Sequence, residues 1–159
     1  MPYSQKYTLV HVKTPLPVGA TFTMSEWPPH ITLADVFAID RAVTCIDQHL
    51  AALTTKSQPV TIAATRPGVL GETSVVLFKN TFALQQLHDS IIDLLGSRGA
   101  VFNHPEFTKT GFLPHSNTNT STPIHPGDTL HITSLSLIDM YPDSDWQQRK
   151  VLATFMLGS

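Results

Sequence analysis

The sequence predicts an α+β fold: a duplicated unit in which antiparallel sheets pack under two helices. Three observations predict it. Apolar residues alternate with a period of two in runs along the whole chain. In two places, one in each half, that period changes to the three-to-four spacing of an amphipathic helix. Proline- and glycine-rich stretches separate the runs. No residue-level repeat accompanies this arrangement, so the duplication is one of architecture.

Tyr7 to Val12 reads as the first strand, with Tyr7, Leu9 and His11 on one face. Residues 13–29 carry four prolines and a glycine and read as loop. Ile31 to Ala38 reads as the second strand. From Ile39 to Thr54 the period changes, and Ala42, Ile46, Leu50 and Leu53 fall on one helical face behind the capping residue Asp40. Pro59 to Thr65 and Thr73 to Lys79 read as strands around the turn-prone RPGVLGE. A second amphipathic helix follows, carrying Phe82, Leu84, Leu87, Ile91, Leu94 and Leu95, and stops near Gly96 and Gly99. Phe102 to Gly127 is rich in Pro, Asn, Thr and Ser and shows no periodic element. A segment of that length in a compact domain is commonly functional. Thr129 to Met140 and Lys150 to Leu157 read as the last two strands, joined by YPDSDWQQR.

Composition limits the functions available. Hydrophobic residues make up 42% of the chain and charged residues 14%, which is the balance of an ordered domain. A formal net charge of −2 argues against an extended nucleic-acid surface, which needs a basic face, and leaves a small anionic ligand compatible. Cys45 is the only cysteine, so neither an internal disulfide nor a cysteine-rich metal site is possible, and a reducing cytoplasm is the expected compartment. The opening MPYSQKYTLVHVK lacks the pattern of a signal peptide, and no apolar run is long enough to span a membrane. Eight histidines among so few charged residues direct attention to proton transfer.

The stretch WPPHITLADVFAID places His30 directly after a double proline and two positions before Thr32. On a strand, residues i and i+2 share a face, so imidazole and hydroxyl project together while Ile31 points into the core. Two such pairs facing one another can bracket a phosphate: one histidine on the attacking side, the other on the leaving side, hydroxyls on the non-bridging oxygens. The spacing alone is a weak signal. It recurs in His88–Ser90, which lies in the second helix where i and i+2 diverge, and in His131–Thr133 on a late strand. GFLPHSNTN repeats the local context of the first motif, with His115 directly after a proline. Here Asn117 stands where a hydroxyl is expected, and its amide can still donate to a phosphoryl oxygen, with Ser116 or Thr118 as alternatives.

With PPHITLA at 28–34 and FLPHSNT at 112–118, the chain resembles the 2H phosphoesterases, the superfamily of 2′-5′ RNA ligases and RNA 2′,3′-cyclic phosphodiesterases. The mark of that family is a pair of proline-preceded His-x-Thr/Ser motifs, and His115 stands 85 positions after His30. The order of elements is similar along nearly the whole chain, including the closing strands LHITSLSLID and RKVLATFML, and on that alignment His131 belongs to a structural strand. The resemblance implies a single domain over 1–159, built as a bilobal unit of two pseudo-symmetric lobes, with two antiparallel sheets forming a central cleft and two main helices packed outside. It implies His30 and His115 as general acid and base in either order, and Thr32 with Asn117 as the phosphoryl-binding pair. The implied reaction is metal-independent hydrolysis of 2′,3′-cyclic phosphates, or action on 2′-5′ linkages, at RNA ends or in small nucleotides. No cofactor and no metal are implied, and a monomer is expected. The departure at Asn117 keeps open an alternative, a non-catalytic protein that binds nucleotides or RNA ends in the same cleft.

Lys109, just before the second motif, can steer a phosphate or serve as an ordinary solvated lysine. Phe22, Trp27, Tyr141 and Trp146 can stack on a base or simply pack over the sheet ends. His104, His115 and His125 share one loop region without a zinc-like spacing. His11 and His49 read as surface or boundary residues. RPGVLGET lacks the ending of a phosphate-binding loop, and no Gly-x-Ser-x-Gly is present.

Overall fold

The computed structural model describes residues 5–158; residues 1–4, at the head of the opening stretch read for a signal peptide, and Ser159 lie outside them. Ten strands and three helices follow in the order β1 (Lys6–Val12), β2 (Thr21–Thr23), β3 (His30–Ala38), α1 (Arg41–Thr44), α2 (Ile46–Thr55), β4 (Val60–Leu70), β5 (Thr73–Phe78), α3 (Phe82–Ser97), β6 (Val101–Phe102), β7 (His115–Asn117), β8 (Thr129–Ile132), β9 (Ser134–Asp139) and β10 (Gln148–Met156). They form a six-stranded sheet, β2-β10-β9-β1-β3-β6, and a four-stranded sheet, β7-β5-β4-β8. Adjacent strands are antiparallel. This is the α+β architecture of two antiparallel sheets with few helices that the sequence predicts.

One buried cluster joins the layers. Leu9, Ile31 and Leu33 come from the first sheet, Ile62 and Val76 from the second, Ile46 and Leu50 from α2, and Leu84, Ile91 and Leu95 from α3. Each buried side chain of this size contributes about 1.5–3 kcal/mol relative to exposure. Strand β9 is buried along its whole length, because β1 and β10 flank it and side chains cover both faces. Two hydrophobic residues assigned to helical faces lie outside the core: Ala42 is exposed, and Phe82, in the first turn of α3, is 77% exposed.

Three features depart from the sequence reading, each for a local physical reason. The run Thr129 to Met140 is two strands, not one. The ladder breaks at Thr133, and the chain steps from the second sheet (β8 on β4) to the first (β9 on β1). His11 sits at this step, buried rather than at the surface, and its Nδ1–H donates to the Ser134 carbonyl at 2.8 Å. The stretch RPGVL is strand rather than turn, pairing with β5 as far as Leu70↔Thr73. Pro67 is tolerated because β8 pairs with β4 only over Val60–Ala63, leaving no ladder partner on the proline's other side. The helical run after Asp40 is split at Cys45, which adopts a left-handed φ of 51° between α1 and α2.

Asp40 is nonetheless a cap, its Oδ1 accepting from the Val43 amide at 3.0 Å. Asp40→Ala is expected to cost about 1 kcal/mol. In thermal unfolding this reads as a Tm lower by about 2–4 °C.

Candidate active site

The proline before each motif histidine organises it. A residue preceding proline is held extended, so Pro28 and Leu113 present their carbonyls back toward the imidazole two positions on. His30 Nδ1–H donates to the Pro28 carbonyl at 2.8 Å, and His115 Nδ1–H donates to the Leu113 carbonyl at 2.7 Å. A carbonyl can only accept, so each neutral ring is fixed with its proton on Nδ1 and a bare lone pair on Nε2. The prolines are themselves anchored in matching fashion. The Pro29 carbonyl accepts from Lys13 N at 2.9 Å at the end of β1, and the Pro114 carbonyl accepts from Phe78 N at 3.0 Å at the end of β5. In each motif the middle residue, Ile31 or Ser116, is buried on the opposite face.

Strand β3 of one sheet packs beside β7 of the other, and between them opens a cleft of about 880 Å³. His30, Thr32, His115 and Asn117 all line it. The Oδ1 of Asn117 accepts from Asn119 N at 2.7 Å, which leaves its NH₂ as the free end of the amide, a donor like the hydroxyl it replaces. Burial pushes the His30 pKa below its ordinary value. The Pro28 carbonyl opposes this, and a charged His115 adds to the lowering.

Of the other residues singled out in the sequence, Ser116 faces away from the cleft: it is 1% exposed and its Oγ has no hydrogen-bond partner. Thr118 donates its hydroxyl to the Ser74 carbonyl at 3.0 Å, extending the β7–β5 ladder rather than entering the cleft. Lys109 is not among the residues lining the cleft. Its ammonium pairs with the Asp93 carboxylate and reaches the Asp89 carbonyl at 3.3 Å, both on α3. Tyr141 and Trp146 lie away from the cleft lining, and Trp146 is 58% exposed. Trp27 does line the cleft, its ring tilted by 31° against His30 with centroids 4.5 Å apart, and Phe22 meets the Trp27 ring edge-on. His131 is exposed and contacts Thr61 Oγ1 at 3.0 Å, and His104 contacts Glu106 at 3.1 Å. Among the described residues, no three His, Cys, Asp or Glu side chains converge as a metal site requires.

Two cleft residues carry roles that the sequence did not display. Asp35 belongs to the lining although simple alternation from His30 places it on the other face. Pairing shifts from Leu9↔Ala34 to Val10↔Thr32, so β3 bulges by one residue and its parity changes after Thr32. His88, on α3, is 1% exposed. Its Nδ1–H donates to the Leu33 carbonyl at 2.7 Å, its Nε2 accepts from Lys109 N at 3.0 Å, and its ring stacks on Phe112 at 3.9 Å. The only hint in the sequence was a histidine on the apolar face of a helix. The turn it holds is tight: Lys109 has a φ of 59°, and a Cβ on Gly111 would stand 1.8 Å from the Glu106 carbonyl oxygen.

A cleft between two antiparallel sheets, with one proline-anchored histidine from each, defines the class of two-histidine phosphoesterases. The family model of the 2′-5′ RNA ligase superfamily matches residues 19–155, and the chain belongs to that family. Among solved structures, that of a phosphoesterase superposes with a TM-score of 0.64 at 15% identity, covering 98% of this chain and 99% of its own. LigT of E. coli in complex with 3′-AMP gives 0.63 at 16% identity, with 98% and 99% covered. TT0787 of Thermus thermophilus gives 0.56 at 14% identity, with 96% and 99% covered. Among curated proteins, none matches the sequence significantly. No helix among the described residues is long and apolar enough to cross a membrane.

Proposed function

We propose that this chain is a phosphodiesterase that hydrolyses 2′,3′-cyclic phosphates, or acts on 2′-5′ linkages, of RNA ends or small nucleotides by two-histidine acid–base catalysis without a metal. One observation carries the reading: two imidazoles from distant segments, each fixed by a carbonyl two residues earlier, line one cleft together with a hydroxyl and an amide donor. His30, whose pKa burial lowers, is neutral at pH 7 and serves as the base. Its Nε2 takes a proton from water, and the water oxygen bonds to phosphorus. The bond from phosphorus to one ribose oxygen breaks, and protonated His115 delivers a proton to that oxygen. Thr32 and the Asn117 amide donate to the non-bridging oxygens, where charge accumulates in the transition state. The binding of LigT to 3′-AMP is consistent with a ligand of nucleotide size.

A second reading, a non-catalytic binder of nucleotides or RNA ends, is favoured by Asn117 in place of Ser or Thr. The two separate in one measurement: incubation with a 2′,3′-cyclic mononucleotide in excess chelator, followed by ³¹P NMR. The cyclic resonance is expected to give way to that of a monoester. Saturable binding with an unchanged spectrum supports the binder instead.

A further inference from the structure

The charge of the cleft names a narrower substrate class, an inference that rests on the proposed activity. None of the described residues lining it is a lysine or arginine, and Asp35 is its one carboxylate. Two basic groups near the cleft walls are committed elsewhere. Lys109 pairs with Asp93, and Arg149 donates to the carbonyls of Met140, Trp146 and Gln148, its guanidinium 6.0 Å from the Trp27 ring centroid. Among the residues that line the cleft, only the imidazoles can carry positive charge. His88 and His30 are both held toward neutrality by burial, and the proposed mechanism uses a single imidazolium, that of the acid. The remaining lining is largely apolar or aromatic, with Met24, Trp27, Val69, Leu70, Phe107 and Phe112.

We propose that the cleft selects small phosphodiesters that carry a single negative charge and discriminates against ligands with a second phosphate. One imidazolium matches one anionic diester. A further phosphate finds no cation and meets the Asp35 carboxylate, a repulsive element of the kind that sets specificity. The same carboxylate accepts from a hydroxyl or amino group on the ligand. The preferred substrate is thus a 2′,3′-cyclic phosphate on a nucleoside or RNA end without an added 5′-phosphate, and the dianionic monoester product is released readily.

The test compares kcat/KM for a 2′,3′-cyclic nucleotide with a 5′-hydroxyl against its 5′-phosphorylated counterpart, over a tenfold range of NaCl. The 5′-phosphate is expected to lower kcat/KM by about tenfold or more, as one unmatched charge at partly screened distance requires. With no more than one charge neutralised, turnover of the 5′-hydroxyl substrate changes by less than about fivefold across the salt range, whereas three phosphate contacts give about a hundredfold. Asp35→Asn, nearly isosteric, narrows the gap between the two substrates. Equal or better use of the 5′-phosphorylated substrate, or a steep salt dependence, overturns the proposal, and the wild-type comparison decides even if the variant does not fold. Should neither substrate turn over, the proposed activity fails on its own. Calorimetric titration of the two ligands then decides the charge question: tighter binding of the 5′-phosphorylated one overturns it, and tighter binding of the singly charged one supports it.

Discussion

His30→Ala and His115→Ala are each expected to lower kcat/KM for a 2′,3′-cyclic nucleotide by about 10²–10⁴-fold, the range for loss of one positioned proton-transfer group. At 1.36 kcal/mol per tenfold, this is about 2.7–5.4 kcal/mol of transition-state stabilisation. The double variant is expected to be little worse than the more damaged single one, because the two imidazoles act as a unit. The pH profile separates their roles. Since burial holds the His30 pKa below its ordinary value, activity persists as pH falls through about 6.5 and declines only as the base takes its proton at lower pH. In His115→Ala the base is intact and the decline at low pH remains, while turnover falls because no imidazole delivers the proton. Binding measured by calorimetry survives in both variants to the extent that Thr32 and Asn117 hold the phosphoryl group. Full turnover in either variant removes that histidine from the mechanism.

The elements carrying the motifs were legible because their signals are local. Alternation in HITLADVFA marks a strand, and proline directly before histidine fixes the backbone at both His30 and His115. The cleft itself was less legible because its remaining parts are set by pairing between distant segments. Strand β7 is only three residues long inside a Pro- and Ser-rich segment, and it is a strand because β5 lies beside it, with Leu77↔His115 and Val75↔Asn117 in register. That register puts His115 and Asn117 on the cleft face and turns Ser116 inward, so the serine beside the motif histidine is buried rather than on the cleft lining. The bulge that brings Asp35 round is likewise a property of the ladder between β1 and β3, not of either sequence. Lys109 read either as a phosphate-steering residue or as a solvated lysine, because nothing local announces its carboxylate partner sixteen residues earlier on α3.

His88→Ala is expected to cost about 3–5 kcal/mol of stability. Three terms contribute. The Leu33 carbonyl and the Lys109 amide lose their partners at about 1–3 kcal/mol each, and a cavity opens against Phe112. At about 2–4 °C per kcal/mol, Tm falls by roughly 6–20 °C. The consequence reaches the chemistry, because this imidazole fastens β3 next to Thr32 to the turn that leads through Phe112 and Leu113 to His115. Loosening that turn displaces one imidazole relative to the other, and a misplacement of about 1 Å costs on the order of 10²-fold, chiefly in kcat. The bonding also demands the neutral ring, since a proton on Nε2 would confront the Lys109 amide. Burial lowers the His88 pKa, with the Lys109 charge in the same direction and the Leu33 carbonyl and Asp89 opposing. The sign follows from proton binding: the unfolded chain titrates near 6.5 and the folded one lower, so the stabilisation is complete above about 6.5 and is lost as pH falls through the folded value. His11 and His30, both lowered by burial, act in the same sense. His88→Gln, which can donate to Leu33 and accept from Lys109 without titrating, is expected to recover part of the Tm and of kcat, and to make Tm less dependent on pH between about 7.5 and 5. Equal losses in the Ala and Gln variants, with an unchanged pH slope, would show that His88 only fills space.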